Sequence, residues 1–246
     1  MNKSLIDVAK LLENRLYTKE QLFDIVFRLF PAYSSNSCEW IIGSLLKEGV
    51  LVNVGFGHYK RLTRPFRGFP TTPTNRQAFS LAGKGVEEEQ RAFYSSKGVA
   101  EVLGIANFVP CVILEVPKSD VFSVYLNASQ YYGDRAMMHT RFSQGFHSEV
   151  RPNSIVVKGL FSKAPTLRSG QLSLEKIIVD LLADPSFQSI FPNVDFRAII
   201  GRVINRFDIN LTTSYNYAKR RRVHGQLLSI FREYLPEEYK EILPKE

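Results

Sequence analysis

Apolar residues recur every three or four positions in three segments near the start of the chain, which predicts three amphipathic helices. The first covers about residues 2–15. The second begins after Thr18, which has the capping-box spacing to Gln21. The third begins near Ser34 and is expected to stop at Gly49. Its apolar positions are Trp40, Ile41, Leu45 and Leu46.

Two strand-like runs follow the third helix. Residues 50–54 and 58–62 are predicted to pair as a hairpin around the turn at 55–57. Helices followed by a hairpin are the order of a winged helix-turn-helix, a fold that favours DNA binding. The same order also occurs in small domains that bind other proteins, so fold-level analogy alone does not decide between the two.

The middle of the chain has a weaker pattern. Residues 63–80 contain three prolines and little periodicity, which predicts a linker between two domains, 1–67 and 74–246. No element is predicted in residues 81–108, and residues 133–153 are expected to be irregular.

The rest of the chain mixes strands and helices. Apolar runs predict strands at 109–116 and 154–160, separated by a helix that Ser119 caps and that extends to Tyr132. A closing helix carries Leu227, Leu228, Phe231 and Leu235. The expected fold class is α+β, with an N-terminal winged helix-turn-helix and a mixed α/β C-terminal domain.

Two C-terminal stretches carry the most specific pattern. Ser173-Leu-Glu-Lys-Ile-Ile-Val-Asp-Leu-Leu-Ala-Asp184 is an amphipathic helix with Ser173 as its N-cap. Phe207-Asp-Ile-Asn210 precedes Tyr217-Ala-Lys-Arg-Arg-Arg222, in which Tyr217 lies one helical turn before Arg221. Together these stretches resemble the C-terminal motifs of the AbiEi-type antitoxins of type IV toxin–antitoxin systems. The resemblance covers about residues 154–222 and also 1–63.

This resemblance implies a cytoplasmic antitoxin and transcriptional autoregulator. The N-terminal domain would bind double-stranded operator DNA, and the C-terminal domain would oppose a nucleotidyltransferase-like toxin without necessarily binding it. The residues assigned to the antitoxin motif or partner surface are Glu175, Lys176, Asp180, Tyr217, Lys219, Arg220, Arg221 and Arg222.

The arginine run 220–222 has two interpretations. Arg221 would be partly buried and would pair with a carboxylate, because a buried cation needs one. The candidate carboxylates are Glu175, Asp180 and Asp184. Alternatively, the run forms an exposed surface for the toxin or for the DNA backbone. Asp180 and Asp184 are expected to join salt bridges rather than to bind a metal.

Candidate DNA contacts lie at the start of the third helix and beyond the hairpin. Asn can bind adenine and Glu can accept from cytosine, whereas cations suit phosphates. The candidate residues are Ser35, Asn36, Ser37, Glu39, His58, Lys60, Arg61, Arg64 and Arg67.

Composition agrees with a nucleic-acid or acidic partner, because the net charge is +8 over 246 residues. Hydrophobic residues make up 44% of the chain, which is enough for a packed core. Cys38 and Cys111 form no disulfide framework, and there is no signal-peptide or membrane-span pattern. We expect a reduced cytoplasmic protein that binds no cofactor, metal or membrane.

Two other functions compete with the antitoxin. One is a winged-helix regulator whose C-terminal domain senses a ligand or dimerises, with no toxin partner. The other is a nucleic-acid-processing enzyme, which is disfavoured because no Ser-His-Asp, Cys-His or metal-ligand spacing is present.

Overall fold

The computed structural model describes residues 3–82, 84–87, 90–139, 150–166, 170 and 172–244 of this mixed α+β protein. The helices are α1 (Lys3–Leu11), α2 (Lys19–Leu29), α3 (Ser35–Lys47), α4 (Pro73–Ala82), α5 (Ser96–Leu103), α6 (Val121–Tyr132), α7 (Leu174–Ala183), α8 (Ser186–Ile190), α9 (Phe196–Arg206), α10 (Leu211–Arg221), α11 (His224–Tyr234) and α12 (Glu237–Lys240). The strands are β1 (Tyr17–Thr18), β2 (Leu51–Gly55), β3 (His58–Arg61), β4 (Ala92–Ser95), β5 (Cys111–Val116), β6 (Ala136–His139) and β7 (Ser154–Gly159).

Residues 3–61 pack α1, α2 and α3 against a small antiparallel sheet with the strand order β1-β3-β2. Local sequence explains the helix boundaries. Thr18 and Gln21 form the predicted capping box on α2, and Ser34 caps α3 by accepting from the Ser37 N–H. The helices and the sheet share a core that includes Leu22, Val26, Ile41 and Leu45, among other residues.

A second sheet has the order β4-β5-β7-β6 and is covered on both faces. Strands β5, β7 and β6 run parallel, and β4 is antiparallel to β5. Side chains alternate between the faces, so Leu114 and Val157 pack with α4 and α6, whereas Ile113 and Val156 pack in the core that contains α7.

The C-terminal helices extend that second core. α10 packs on α7 and α11, and α9 packs on α11. Val54 of strand β2 and Phe69 also belong to this core, so the hairpin contributes apolar surface to both parts of the chain.

Several sequence predictions need correction. The predicted linker 63–80 contains most of α4, whose Ala78 and Phe79 are buried against the sheet. Residues 133–153 include strand β6, which pairs with β7, and residues 140–149 lie outside the described part. Ser119 does not cap α6, because it lies within the 3-10 turn Lys118–Asp120, and Asp120 occupies the N-cap position of α6.

No helix within the described ranges is long and apolar enough to cross a membrane.

Candidate functional site

The exposed side of α3 carries the residues predicted to reach DNA bases. Ser34 is occupied as the helix cap, with its Oγ 3.3 Å from the Ser37 nitrogen, whereas Ser35 and Asn36 are exposed. Glu39 is also exposed, but its carboxylate lies 2.6 Å from the Lys19 ammonium of α2. The first turn of α3 therefore presents polar side chains to solvent, and one of them already has a charged partner.

Trp40 lies on this same exposed side, contrary to its predicted place among the apolar positions of α3. Its exposed fraction is 57%, whereas Cys38, Ile41 and Leu45 are fully buried. The sequence pattern placed Trp40 on the same apolar side as its neighbour Ile41. Consecutive helix positions point about 100° apart, so the two side chains face different directions. An exposed tryptophan is a candidate contact residue.

Two of the cations predicted to bind phosphates form salt bridges within the protein instead. Lys60 is buried, and its Nζ lies 2.8 Å from Asp208 Oδ1. Arg64 also pairs with Asp208, at 3.1 Å, and donates to the Asn205 carbonyl at 2.5 Å. Lys60 is therefore not positioned for a phosphate contact, and Arg64 would have to leave its partners to make one.

The remaining residues of that group lie on the surface or close to it. Arg61 and Arg67 are exposed, and Arg61 also donates weakly to the Leu12 carbonyl at 3.4 Å. His58 is half-buried, with its Nδ1 2.8 Å from the Phe56 carbonyl oxygen. Arg61 and Arg67 are thus the cations in this group best placed to contact an external anion.

The hairpin turn is docked on the N-terminal end of α10. The Phe56 N–H donates to Thr212 Oγ1 at 2.5 Å, and the Phe56 ring packs edge-on against Tyr215. A Cβ on Gly55 would collide with the backbone nitrogen and side chain of Thr212. The turn and the helix can therefore approach this closely only because residue 55 is glycine.

Asp208 joins the segment after the hairpin to the C-terminal helices. Besides Lys60 and Arg64, its carboxylate accepts from the backbone N–H groups of Thr63 at 2.9 Å and Arg64 at 2.8 Å. Burial by itself would raise the pKa of Asp208, but the hydrogen bonds from Lys60, Arg64 and Thr63 outweigh it and lower that pKa. The carboxylate is thus held ionised between the two parts of the chain.

A second group of charges is buried between the sheet and helices α7 and α10. Arg221 pairs with Asp180 at 2.9 Å, Asp180 with Lys176 at 2.5 Å, and Lys176 with Glu115 at 2.7 Å. The same chain of contacts continues from Glu115 to Lys158 at 3.2 Å and from Lys158 to Asp184 at 2.9 Å. We call these six residues the buried ion network. Its three cations balance its three carboxylates.

The pKa values show how these charges support one another. Burial alone would raise the pKa of Glu115 and lower that of Lys158. Instead, Lys176 and Lys158 hold the pKa of Glu115 below its usual value, and Asp184 raises the pKa of Lys158 well above its own. Glu115 and Lys158 are therefore ionised at neutral pH, and the charge of each depends on its neighbours.

The predicted antitoxin residues fall into two groups, those with contacts inside the protein and those that are exposed. Tyr217 donates to Asp180 at 2.9 Å, and burial and the Asp180 charge raise the pKa of this phenol. Glu175 accepts from the Asn210 N–H at 3.0 Å, which joins the two motifs a second time. By contrast, the exposed residues are Lys219, Arg220 and Arg222. Within the arginine run, Arg221 is therefore the residue that pairs internally, whereas Arg220 and Arg222 lie on the surface.

A family model matches residues 37–237, which is most of the chain. The chain belongs to a family of unknown function (DUF6577). Comparison with curated proteins and with solved structures gives no match.

The DUF6577 match contains the hairpin, its docking contact with α10 and the entire buried ion network. It begins at Ser37, so α1, β1 and α2 precede it. The family model therefore covers both the hairpin and the C-terminal helices that Asp208 connects, whereas α1 and α2 lie outside it.

Sequence reasoning missed Glu115, Lys158 and the role of Asp208. A signal for the first two was present, because each is the charged residue within an otherwise apolar strand run, Cys111–Val116 and Ser154–Gly159. Opposite charges on two buried strands indicate a cross-strand pair. Asp208 lies in the quoted stretch Phe207–Asn210, but nothing in the sequence indicated that its carboxylate would bind Lys60 and Arg64. Among the described residues of this DUF6577 protein, no three His, Cys, Asp or Glu side chains could hold a metal ion.

Proposed function

We propose that this DUF6577 protein is an antitoxin of the AbiEi type that binds operator DNA through an N-terminal winged helix-turn-helix and opposes a nucleotidyltransferase-like toxin. One observation carries the DNA-binding part. The elements occur in the order α1-β1-α2-α3-β2-β3, and the antiparallel sheet has the order β1-β3-β2. In a domain of this kind, α3 is the helix that enters the major groove.

The exposed first turn of α3 supports this assignment. Asn36 is exposed on the outer side of the helix, where its amide can donate to and accept from adenine. Arg61 and Arg67 supply charge for phosphates, which position the protein without selecting a sequence. Lys60 has no part in this interface, since it is buried against Asp208.

The antitoxin part rests on the resemblance of α7 and α10 to the family motifs. The contacts of Tyr217 and Arg221 with Asp180 support a structural role for the most specific motif residues. Their neighbours Lys219, Arg220 and Arg222 offer an exposed basic surface to an acidic partner.

A second candidate function is a winged-helix regulator without a toxin partner. The docking of the hairpin on α10 favours it, because a ligand that shifted α10 would also move the hairpin. The winged-helix module is common to both candidates, whereas the toxin belongs to the first alone.

Two measurements test the proposal. Fluorescence anisotropy with duplex DNA from upstream of the protein's own gene should show binding that weakens with salt, with a log–log slope of about −2 if Arg61 and Arg67 each contact one phosphate. Arg61→Ala should flatten the slope by about 1, whereas Asn36→Ala should reduce discrimination between that duplex and an unrelated one. Lys118→Ala, an exposed cation distant in sequence, serves as the control.

The second measurement is growth rescue. Co-expression with a nucleotidyltransferase-like protein encoded beside this gene should restore growth that the toxin alone stops. DNA binding without rescue would replace the antitoxin with the second candidate. Absence of salt-dependent DNA binding by the full chain would overturn both.

A further inference from the structure

Trp40 is the single tryptophan of the chain and has 57% of its surface exposed on α3. Exposing a large aromatic side chain to water is unfavourable, and such residues are enriched where another molecule covers them. The buried side of α3 already supplies the contacts that hold the helix, so Trp40 adds little to the core. Its position therefore points to a ligand.

We propose that Trp40 is a specificity-determining residue that contacts the 5-methyl group of thymine in the major groove. This inference rests on the proposed DNA-binding function of α3. The thymine methyl is the apolar group that base edges present in that groove, and apolar side chains read it. Trp40 thus selects A·T pairs through the thymine methyl group, without a hydrogen bond.

The spacing along α3 fits such a contact. Trp40 lies one turn after Asn36, about 6 Å along the helix axis at 1.5 Å per residue. This rise corresponds to about two base pairs at 3.4 Å each. With Asn36 on adenine, the preferred site contains an adenine and a thymine about two base pairs apart.

The surroundings of Trp40 favour DNA over a protein partner. Gly43, one turn further on, has open space where a Cβ would be, so a groove wall can approach the helix closely. The other exposed positions on this side are Asn36, Glu39 and Lys47. The centre of a protein–protein interface usually contains several large apolar residues. On this side of α3, the other exposed side chains beside the Trp40 ring are polar.

The test begins with selection of duplexes from a random pool by the full-length protein. The thymines of a selected duplex are then replaced by deoxyuridine, which lacks only the methyl group. The wild type should bind the thymine duplex about fourfold more tightly, since one buried methyl contributes about that factor. Trp40→Ala should bind both duplexes equally. The matched control is Leu11→Ala, an exposed apolar residue on α1.

Intrinsic fluorescence supplies an independent measurement, because all tryptophan emission comes from residue 40. The emission should change on titration with the selected duplex and saturate at the affinity measured by anisotropy. Equal binding of both duplexes by the wild type, or unchanged emission on saturation, would overturn the role of Trp40 while leaving DNA binding intact. Failure to select any duplex would overturn the proposed function itself. Melting temperatures of both variants confirm that they fold.

Discussion

Asp180 is a residue through which the two C-terminal motifs, on α7 and α10, contact each other inside the protein. One of its oxygens accepts from Tyr217 and Arg221, both at 2.9 Å, and the other lies 2.5 Å from Lys176. Placing these charges in the core costs desolvation energy, and only the complete set of partners offsets it. The motif residues are therefore interdependent, and loss of one leaves another charge without its partner.

We expect Arg221→Ala to lower the free energy of unfolding by about 3 kcal/mol, because it removes a cation from the buried Asp180 carboxylate. Arg220→Ala should change it by less than about 0.5 kcal/mol, since Arg220 is exposed and bonded to the Lys163 carbonyl. Urea denaturation of both variants measures the difference. Equal midpoints would show that Arg221 does not stabilise the packing of α7 on α10.

At the scale of elements, the hairpin β2–β3 is the connection between the two parts of the molecule. Its turn contacts Thr212 and Tyr215 of α10, and the segment that follows binds Asp208. Gly55 and Gly57 both have positive φ, +115° and +78°, so an alanine at either position is strained. They differ in surroundings, because only Gly55 faces Thr212 while Gly57 has open space around it.

Comparing alanine variants at Gly55 and Gly57 distinguishes the cost of backbone strain from the cost of disturbing the contact between the turn and α10. Gly57→Ala should cost about 1 kcal/mol of stability, which is the strain of a left-handed alanine alone. Gly55→Ala should cost clearly more and should also perturb α10, since the new methyl collides with Thr212. Thermal denaturation gives the costs, and amide hydrogen exchange of α10 reports the perturbation. If the two variants behave alike, the docking of the turn contributes nothing to stability.

The sequence predicted those elements whose pattern is local. Capping at Thr18 and Ser173 and the apolar spacing of α2, α7 and α11 were confirmed within a few residues. Helix α4 was missed because the prolines before it suggested a linker, and its buried residues meet a sheet formed by distant segments. The pairing of Lys60 with Asp208 and of Lys158 with Asp184 could not be predicted for the same reason, since each pair joins elements far apart in sequence.

At the scale of the whole molecule, the hairpin belongs to both cores. Residues such as Leu51 pack with α1–α3, whereas Val54 packs with the C-terminal helices. The segment after the hairpin continues the second core, because Phe66 contacts Phe69 and Phe207. The division at 1–67 and 74–246 stays a prediction, and it separates Phe66 from Phe207.

Two fragments test where the C-terminal unit begins. A fragment of residues 62–246 retains the contacts of Thr63 and Arg64 with Asp208 and the packing of Phe66 and Phe69. It should therefore melt several degrees above a fragment of residues 74–246. The shorter fragment loses the buried Phe69 ring and the partly buried Phe66 ring, which together contribute about 2 kcal/mol or more. Equal melting temperatures would place the boundary after residue 73, as the proline pattern predicts.

The close approach of Gly55 to Thr212 also limits how these two positions can diverge among related sequences. The obstacle to a side chain at position 55 includes the backbone nitrogen of residue 212, which no substitution removes. Replacing Thr212 therefore cannot compensate for a change at Gly55. In relatives that keep this docking, glycine should persist at position 55 whatever residue occupies position 212, while position 57 should admit asparagine or aspartate.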